Sequence, residues 1–382
     1  MTESIEFLKI EASAKLKWLN FEIRKPLQKE TGHPLILQNL SRISDKIVEF
    51  IRLIDINSTL PNNDLAKEII RKSKNLVSDL DRAAAYISAL QRERNEDRLI
   101  RSLILDTIQK YGISIDDLLV SLNSQFSSTT YEPAPLITGY PWSAFTLTDS
   151  AAFFHEIGHI VFFKYSDIQY LMDEVVEDFF LQYEKKNSGT NNRRNEEIKK
   201  ITKNGKTYWD EYRLNELFAD IYASYISGPI FYENVINMVL KDENSQFDLK
   251  DIDPHPPSGV RAQVCNMVSS DHWRGNREFI LLNDIFKEFQ SNIRIPYETR
   301  VICSPDLMSE LVKTTTKFIA NKVSGTIRFE PAQLEGGESS GKISYFIRIL
   351  YKGLDIKLRD SKSYISWEKK AIKDMIRFVN NS

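Results

Sequence analysis

Cysteine is scarce in this 382-residue sequence, which contains only Cys265 and Cys303. Two cysteines so far apart form neither a disulfide framework nor a CxxC metal motif, and such usage is typical of a reducing compartment. We interpret both as small buried hydrophobic residues. The sequence is therefore not that of a small disulfide-stabilised protein.

Long apolar runs are also lacking, since no window approaches the roughly 20 apolar residues that cross a bilayer. The most apolar stretch, AAFFHEIGHIVFF at 151–163, contains two histidines and a glutamate. The first 18 residues, MTESIEFLKIEASAKLKW, interrupt each short apolar run with Glu or Lys, which is unlike a secretory signal. We therefore expect a cytoplasmic protein without a membrane span.

The sequence also lacks an excess of charge of either sign. The formal net charge is -2, and the balance of 42% hydrophobic and 27% charged residues is typical of globular proteins. No nucleic-acid partner is expected from this balance. The polar insertion at 185–206, with Asn204-Gly205 as a tight turn, is predicted to be a solvated, mobile loop, and a local nucleic-acid patch is the alternative.

Residues 1–126 are predicted to form a helical domain, because apolar residues recur at three- and four-residue spacing. One stripe runs through Ile47, Phe50 and Ile54, and another includes Leu76 and Leu80. Packing within the chain is the interpretation we favour, because sustained heptads are missing, and a dimer seam is the alternative. The oligomeric state is left open.

Proline and glycine mark the end of this region. The segment 127–145, with Pro133, Pro135 and Pro141, predicts an irregular linker or a short edge strand. Two apolar helical segments, 149–183 and 208–227, follow it.

The period of the pattern changes in the tail, at 321–382. VSGTIRF, KISYFIRILYKG and LDIKLRD are rich in β-branched and aromatic residues and are predicted to be strands, with 333–341 as a hairpin tip. WEKKAIKDMIRFV returns to helical spacing. The predicted fold is mainly α, with a helical domain at 1–126, a second domain at 127–320 and a small α+β module at 321–382.

The motif HExxH carries the clearest chemical signal, at His155, Glu156 and His159. Residues four apart share one face of a helix, so both imidazoles can bind one Zn²⁺ while the glutamate lies beside a metal-bound water. Zinc binds nitrogen at about 2.0–2.1 Å and keeps an open position in catalytic sites. A chance match is the alternative, and a third ligand decides between them.

A candidate third ligand lies downstream. Phe162 and Tyr165 stand where the metzincin pattern requires Gly and His, so that class is excluded. Glu216 and Asp220 are four apart among apolar residues, where unpaired carboxylates are costly. Binding of a metal by one, and a hydrogen bond from a ligating imidazole to the other, would remove that cost. Two solvated carboxylates are the alternative.

A third segment, DPHPPSGVR, holds His255 between two prolines that restrict its backbone. Placed near the metal, His255 could donate a hydrogen bond to a tetrahedral oxyanion. Arg261 could support this loop by pairing with a carboxylate such as Asp220. A surface turn is the alternative.

Together, HExxH, ExxAD at 216–220 and His-Pro followed by Arg resemble the gluzincin peptidases, in particular the group of the CAAX prenyl endopeptidases and their soluble relatives. The resemblance covers about 145–265. It implies a zincin-like metallopeptidase core with three zinc ligands, a general base and three supporting residues. The implied ligands are His155, His159 and Glu216, the base is Glu156, and Asp220, His255 and Arg261 are the supporting residues. The absence of membrane spans and the polar insertion before Glu216 are departures from that group.

The expected function is that of a zinc-dependent endopeptidase acting on a specific protein or peptide substrate through metal-activated water and a glutamate base. The first alternative is a metal-stabilised binding or sensor protein with the same scaffold and no turnover. The second is a helical interaction protein with an accidental HExxH.

Overall fold

The chain divides into two compact units, residues 1–101 with 116–141, and residues 102–115 with 142–382. The second is called the site unit below, and the predicted boundaries at 126 and 320 stay predictions. The computed structural model describes residues 9, 12–17, 19, 34–59, 64–69, 71–73, 76, 79, 100, 102–104, 106–107, 119–121, 128–130, 136–138, 147–189, 192–241, 246–250, 253, 255–291, 293–322 and 342–381.

In the first unit, helix α1 spans Pro34–Thr59. Ile47, Phe50 and Ile54 are buried, as their spacing predicts. Leu76 is buried as well, whereas Leu80 lies outside the described residues. Residues 64–69 and 71–73 are also helical, so the described part of this region is rich in helix.

Three short strands form a small sheet in the same unit: β1 at Leu119–Ser121, β2 at Ser128–Thr130 and β3 at Leu136–Thr138. β3 lies in the centre, parallel to β1 and antiparallel to β2. β2 is therefore an edge strand, one of the two alternatives predicted for 127–145, whereas β3 of the same segment is the central strand, which neither alternative predicted. The prolines of that segment lie outside the described residues.

The site unit consists of helices in its described ranges. They are a 3-10 turn at Leu147–Ala151, α2 Ala152–Lys164, α3 Ser166–Asn187, α4 Asn192–Tyr208, α5 Glu211–Ser227, α6 Pro229–Lys241, α7 Ser258–Trp273, α8 Arg277–Ser291, α9 Tyr297–Ile302, α10 Pro305–Lys322, α11 Lys342–Arg359 and α12 Ser361–Asn381. The mainly helical fold is thus as predicted. Across the described ranges, none of the helices combines the length and the apolar character that a bilayer crossing requires.

Helices α2 and α5 pack closely against each other, and they carry the HExxH and ExxAD motifs. A Cβ at Gly158 would lie 2.7 Å from the Cα of Ala219, so glycine permits this approach. Helix α5 begins after Asp210, whose side chain accepts a hydrogen bond from the Arg213 backbone N–H. It ends at Gly228, whose φ of 56° is the left-handed conformation that glycine adopts readily.

The predicted loop at 185–206 is wrong, because α4 occupies most of that insertion. Ile198, Thr202 and Gly205 are buried at helical spacing, and the charged residues occupy the other faces. Asn204-Gly205 lies inside the helix instead of forming a turn. A Cβ at Gly205 would lie 2.1 Å from the Phe180 ring, so glycine at this position permits α4 to pack closely against α3.

The predicted strands at KISYFIRILYKG and LDIKLRD are also wrong, because both lie within α11. Phe346, Ile347, Leu350 and Leu354 are buried, which is the spacing of a helix face. Burial of this face outweighs the β propensity of the aromatic and β-branched residues. The helix predicted from WEKKAIKDMIRFV is present in α12, whereas VSGTIRF and the hairpin tip lie outside the described residues. The described part of the tail is thus helical.

Helix α11 packs against the 3-10 turn that precedes α2. Lys357 donates to Glu233 Oε1 at 2.7 Å and to Thr148 Oγ1 at 3.1 Å. The Thr148 backbone N–H donates to the Tyr364 hydroxyl of α12 at 3.3 Å. The tail therefore contributes polar contacts to the unit that holds the HExxH helix.

Candidate metal centre

His155 and His159 lie one turn apart on α2, and each is 8% exposed. Their ring centroids are 4.6 Å apart, with the ring planes at 84°. Helical spacing alone brings them together, because residues i and i+4 are neighbours on one face. Both rings are buried by packing of α2 against α5.

Glu216 of α5 faces both imidazoles. Its Oε2 lies 3.2 Å from His155 Nε2, and its Oε1 lies 3.6 Å from His159 Nε2. One ligand atom from each of these three residues lies within 4.8 Å of the other two. The cluster could therefore hold a metal ion, and it is the arrangement on which the sequence argument depended.

The donor chemistry of the cluster fits a cation. Two imidazole nitrogens and a carboxylate oxygen are ligands that divalent metals bind in proteins. Glu216 Oε2 is buried and has no hydrogen-bond partner of good geometry within the described part of the chain. A cation would compensate this otherwise costly buried oxygen.

The electrostatics also favour a positive charge. Burial by itself lowers the pKa of His155, but hydrogen bonds and attraction to Asp220 and Glu216 raise this pKa to about 10. Burial raises the pKa of Glu216, yet the close contact with His155 and the positive charges of His155, His159 and Arg261 together outweigh burial and lower this pKa to about 2. Burial and the nearby His155 charge lower the pKa of His159. The carboxylates thus favour positive charge at the cluster.

Asp220 and Arg261 form a buried pair behind His155. Asp220 Oδ1 lies 3.0 Å from His155 Nδ1. Arg261 donates to both Asp220 oxygens, from Nε at 2.6 Å and from NH2 at 2.8 Å. Burial raises the pKa of Asp220, but the Arg261 guanidinium and His155 together outweigh burial and lower it. Asp220 therefore stays charged while it holds the His155 ring.

Asn215 and Phe231 also contact the two histidines, although the sequence argument assigned them no role. Asn215 Oδ1 lies 3.0 Å from His159 Nδ1. The Phe231 ring stacks on His155 with centroids 6.0 Å apart and planes at 16°. Asn215 directly precedes Glu216 in the sequence, and this adjacency was the feature from which a role for Asn215 could have been predicted. Phe231 belongs to the next helix, and nothing in its sequence context indicates the stacking.

His255 lies beside Glu216, with its Nε2 at 3.6 Å from Glu216 Oε2. Its side chain is 47% exposed. Asp253 Oδ1 lies 2.8 Å from His255 Nδ1 and accepts from the His255 backbone N–H at 3.0 Å. Burial raises the pKa of Asp253, but these two hydrogen bonds lower it. Asp253 was not singled out from the sequence, although a carboxylate two residues before His255 is the spacing of an Asx turn.

Glu156 lies between the two histidines on α2 and is 4% exposed. The pKa of His159 is lowered overall, but the negative charge of Glu156 acts in the opposite direction. This carboxylate therefore lies near the cluster. Next to His255 lies a pocket of about 200 Å³. Met238, Pro256 and Pro257 give it apolar walls, and Asp248 and Lys250 add charged ones. The pocket shares His255 and Arg261 with the surroundings of the cluster, and none of His155, His159 and Glu216 lines it.

Comparison with models of known families, with curated proteins and with solved structures finds no match for this chain. The resemblance to the gluzincin peptidases therefore stays a prediction from the sequence motifs. The geometry described above brings together His155, His159 and Glu216, with Asp220, His255 and Arg261 around them.

Proposed function

We propose that this protein is a zinc-dependent peptidase of the gluzincin kind. The observation that carries the proposal is the orientation of Glu216, which points at both HExxH histidines from a separate helix. A chance HExxH would not require a buried carboxylate opposite its two rings. Zinc is the metal proposed because two histidines and a glutamate are the ligand set of known catalytic zinc sites.

Residues His155, His159 and Glu216 would hold the ion. When bound, zinc supplies Lewis acidity, lowering the pKa of a coordinated water and polarising a carbonyl. Glu156 accepts the proton of that water on its carboxylate and delivers it to the leaving amine. A carboxylate fits this task because it can bind and release the same proton within one cycle.

His255 would stabilise the negative charge that develops on the attacked carbonyl oxygen. Its Nε2 faces Glu216, and its Nδ1 is held by Asp253. In the protonated form, His255 can donate from both nitrogens, so Nδ1 donates to Asp253 while Nε2 donates to the oxyanion. Removal of one such donor typically lowers kcat by about 10²–10³-fold.

A protein or peptide is the proposed substrate, because the three motifs resemble those of peptidases, and the pocket beside His255 has apolar and charged walls. The pocket can receive a side chain adjoining the cleaved bond. A metal-stabilised binding protein is the competing function, and it shares the ligand set and differs only in turnover.

The first prediction concerns Glu156→Gln. This variant is expected to retain one zinc ion per chain and to lose cleavage by several orders of magnitude, because the amide cannot accept the proton. Zinc content is measured by elemental analysis, and cleavage by mass spectrometry of new protein termini in cells that express each form. His159→Ala serves as the control that loses zinc.

Each outcome of this experiment has a defined meaning. Zinc-dependent termini that are present with wild type and absent with Glu156→Gln support the peptidase. If both forms bind zinc and the cells that express them contain the same new protein termini, the metal-stabilised binding protein is favoured. A purified wild-type chain without stoichiometric zinc would overturn the metal centre itself.

A further inference from the structure

Arg213 is a buried arginine in the first turn of α5, only 5% exposed. Its NH1 donates to the Tyr208 carbonyl at 3.1 Å and to Asp210 Oδ2 at 3.0 Å. The guanidinium also lies 4.4 Å above the Tyr208 ring. These contacts fix the side chain at the start of the helix that carries Glu216.

The other amino group of Arg213 binds the segment that leads to His255. NH2 donates to the carbonyl of Lys250 at 2.9 Å and to the carbonyl of Asp253 at 3.0 Å. These carbonyls lie 37 and 40 residues away along the chain. One guanidinium thus joins the start of α5 to the backbone immediately before His255.

Three residues on one face of α5 contact residues that lie before, at and after His255 in the sequence. Arg213, Glu216 and Asp220 are spaced i, i+3 and i+7, and therefore share a helix face. Arg213 holds the Asp253 backbone, Glu216 faces His255, and Asp220 pairs with Arg261 beyond the prolines. The His255 segment is thus tied to the ligand-bearing helix on both sides of the imidazole.

We propose that Arg213 is a positioning residue that sets the direction of the His255 ring. The inference rests on the proposed function, in which His255 acts beside the metal. Arg213 fixes the Asp253 backbone, the Asp253 carboxylate holds His255 Nδ1, and Nε2 is thereby presented toward Glu216. Lysine cannot replace this guanidinium, because a single ammonium group lacks the planar fork of donors that reaches both sets of partners.

Cobalt provides the test, since Co²⁺ in place of zinc reports the ligands by its absorption and nearby protons by paramagnetic shifts. Wild type, Arg213→Lys and Asp210→Asn are each loaded with Co²⁺ after labelling of the histidines with ¹⁵N. In Arg213→Lys, the cobalt absorption and the shifted signals of His155 and His159 are expected to be unchanged. The paramagnetic shift of the His255 ring is expected to differ from that of wild type, because the position of the ring relative to the metal changes.

Asp210→Asn is the matched control. It removes the charged partner of NH1 and leaves both NH2 bonds, and asparagine still caps the helix. Its His255 signals should match wild type. An equal paramagnetic shift of His255 in wild type and Arg213→Lys would overturn the positioning role, whereas altered cobalt absorption in Arg213→Lys would show a general structural role and overturn it too.

Failure of wild type to bind Co²⁺ would instead count against the proposed metal centre. The positioning role is then decided in the metal-free protein by hydrogen exchange of the His255 amide, which donates to Asp253 Oδ1. Faster exchange in Arg213→Lys than in Asp210→Asn supports it. Equal exchange in the two variants rejects it.

Discussion

Each of the three imidazoles that face Glu216 has a side-chain oxygen beside its Nδ1, at 2.8–3.0 Å. The oxygens belong to Asp220 for His155, to Asn215 for His159 and to Asp253 for His255. Such partners fix the ring orientation and, for a neutral ring, the tautomer, so that Nε2 points into the cluster. The Asp220 carboxylate also supports positive charge on the His155 ring, whereas the neutral amide of Asn215 orients its ring without adding charge.

The second prediction follows for Asn215→Ala. Loss of the oxygen at His159 Nδ1 should weaken zinc binding by about 10–100-fold, because the ring is no longer held in its ligating orientation. Competition with a chromophoric chelator measures the dissociation constant. Asn266→Ala is a matched control, because Asn266 bonds to Tyr232 and Asn283 instead of a candidate ligand. Equal zinc affinity in both variants would contradict the orienting role.

At the scale of helices, the close approach of α2 and α5 brings the two motifs into contact. The third prediction is that Gly158→Ala destabilises the site unit by about 1–3 kcal/mol, because its Cβ would lie 2.7 Å from the Ala219 backbone. Helix propensity alone favours the opposite result, by about 1 kcal/mol. Urea unfolding and zinc titration measure the effect.

Gly189→Ala is the control for that substitution, because nothing lies within 4 Å of its added Cβ. The control should unfold at the wild-type urea concentration and bind zinc normally. If Gly158→Ala were as stable as wild type, the α2–α5 approach would have to be looser than described.

The contact between α11 and α6 gives the fourth prediction, for Lys357→Met. The variant leaves the Glu233 carboxylate, 6% exposed, without its 2.7 Å partner Lys357 Nζ. Breaking a fully buried pair typically costs about 3–5 kcal/mol, and we expect about 2 kcal/mol here because Lys357 is 24% exposed. Calorimetry measures the loss. The double variant Glu233→Gln with Lys357→Met should recover part of it, and no recovery would show that the charge is not the cause.

At the scale of the whole molecule, the proposed ligands belong to one of the two compact units. The fifth prediction is that zinc stabilises that unit selectively, by about 4 kcal/mol when free metal exceeds the dissociation constant 1,000-fold. Hydrogen exchange should slow in α2, α5 and α7 on addition of zinc and stay unchanged in α1. His159→Ala should abolish the difference, and equal slowing in α1 would contradict selective stabilisation.

The residue pattern predicted the candidate metal ligands and part of the secondary structure. His155 and His159 share a helix face because of their spacing, and the buried stripe of α1 follows from the same period. The predictions for α4 and α11 failed where local signals, an Asn-Gly pair and β-branched residues, were outweighed by burial against other helices.

Only the tertiary structure decided which groups meet. Spacing along the chain could not show that Glu216 faces both imidazoles or that Arg213 reaches across 40 residues to the Asp253 carbonyl. Such contacts depend on the crossing of helices, which is set by side-chain packing such as that at Gly158. Local periodicity predicts which helix bears the candidate ligands. The positions of the residues that contact those ligands depend on how the helices pack.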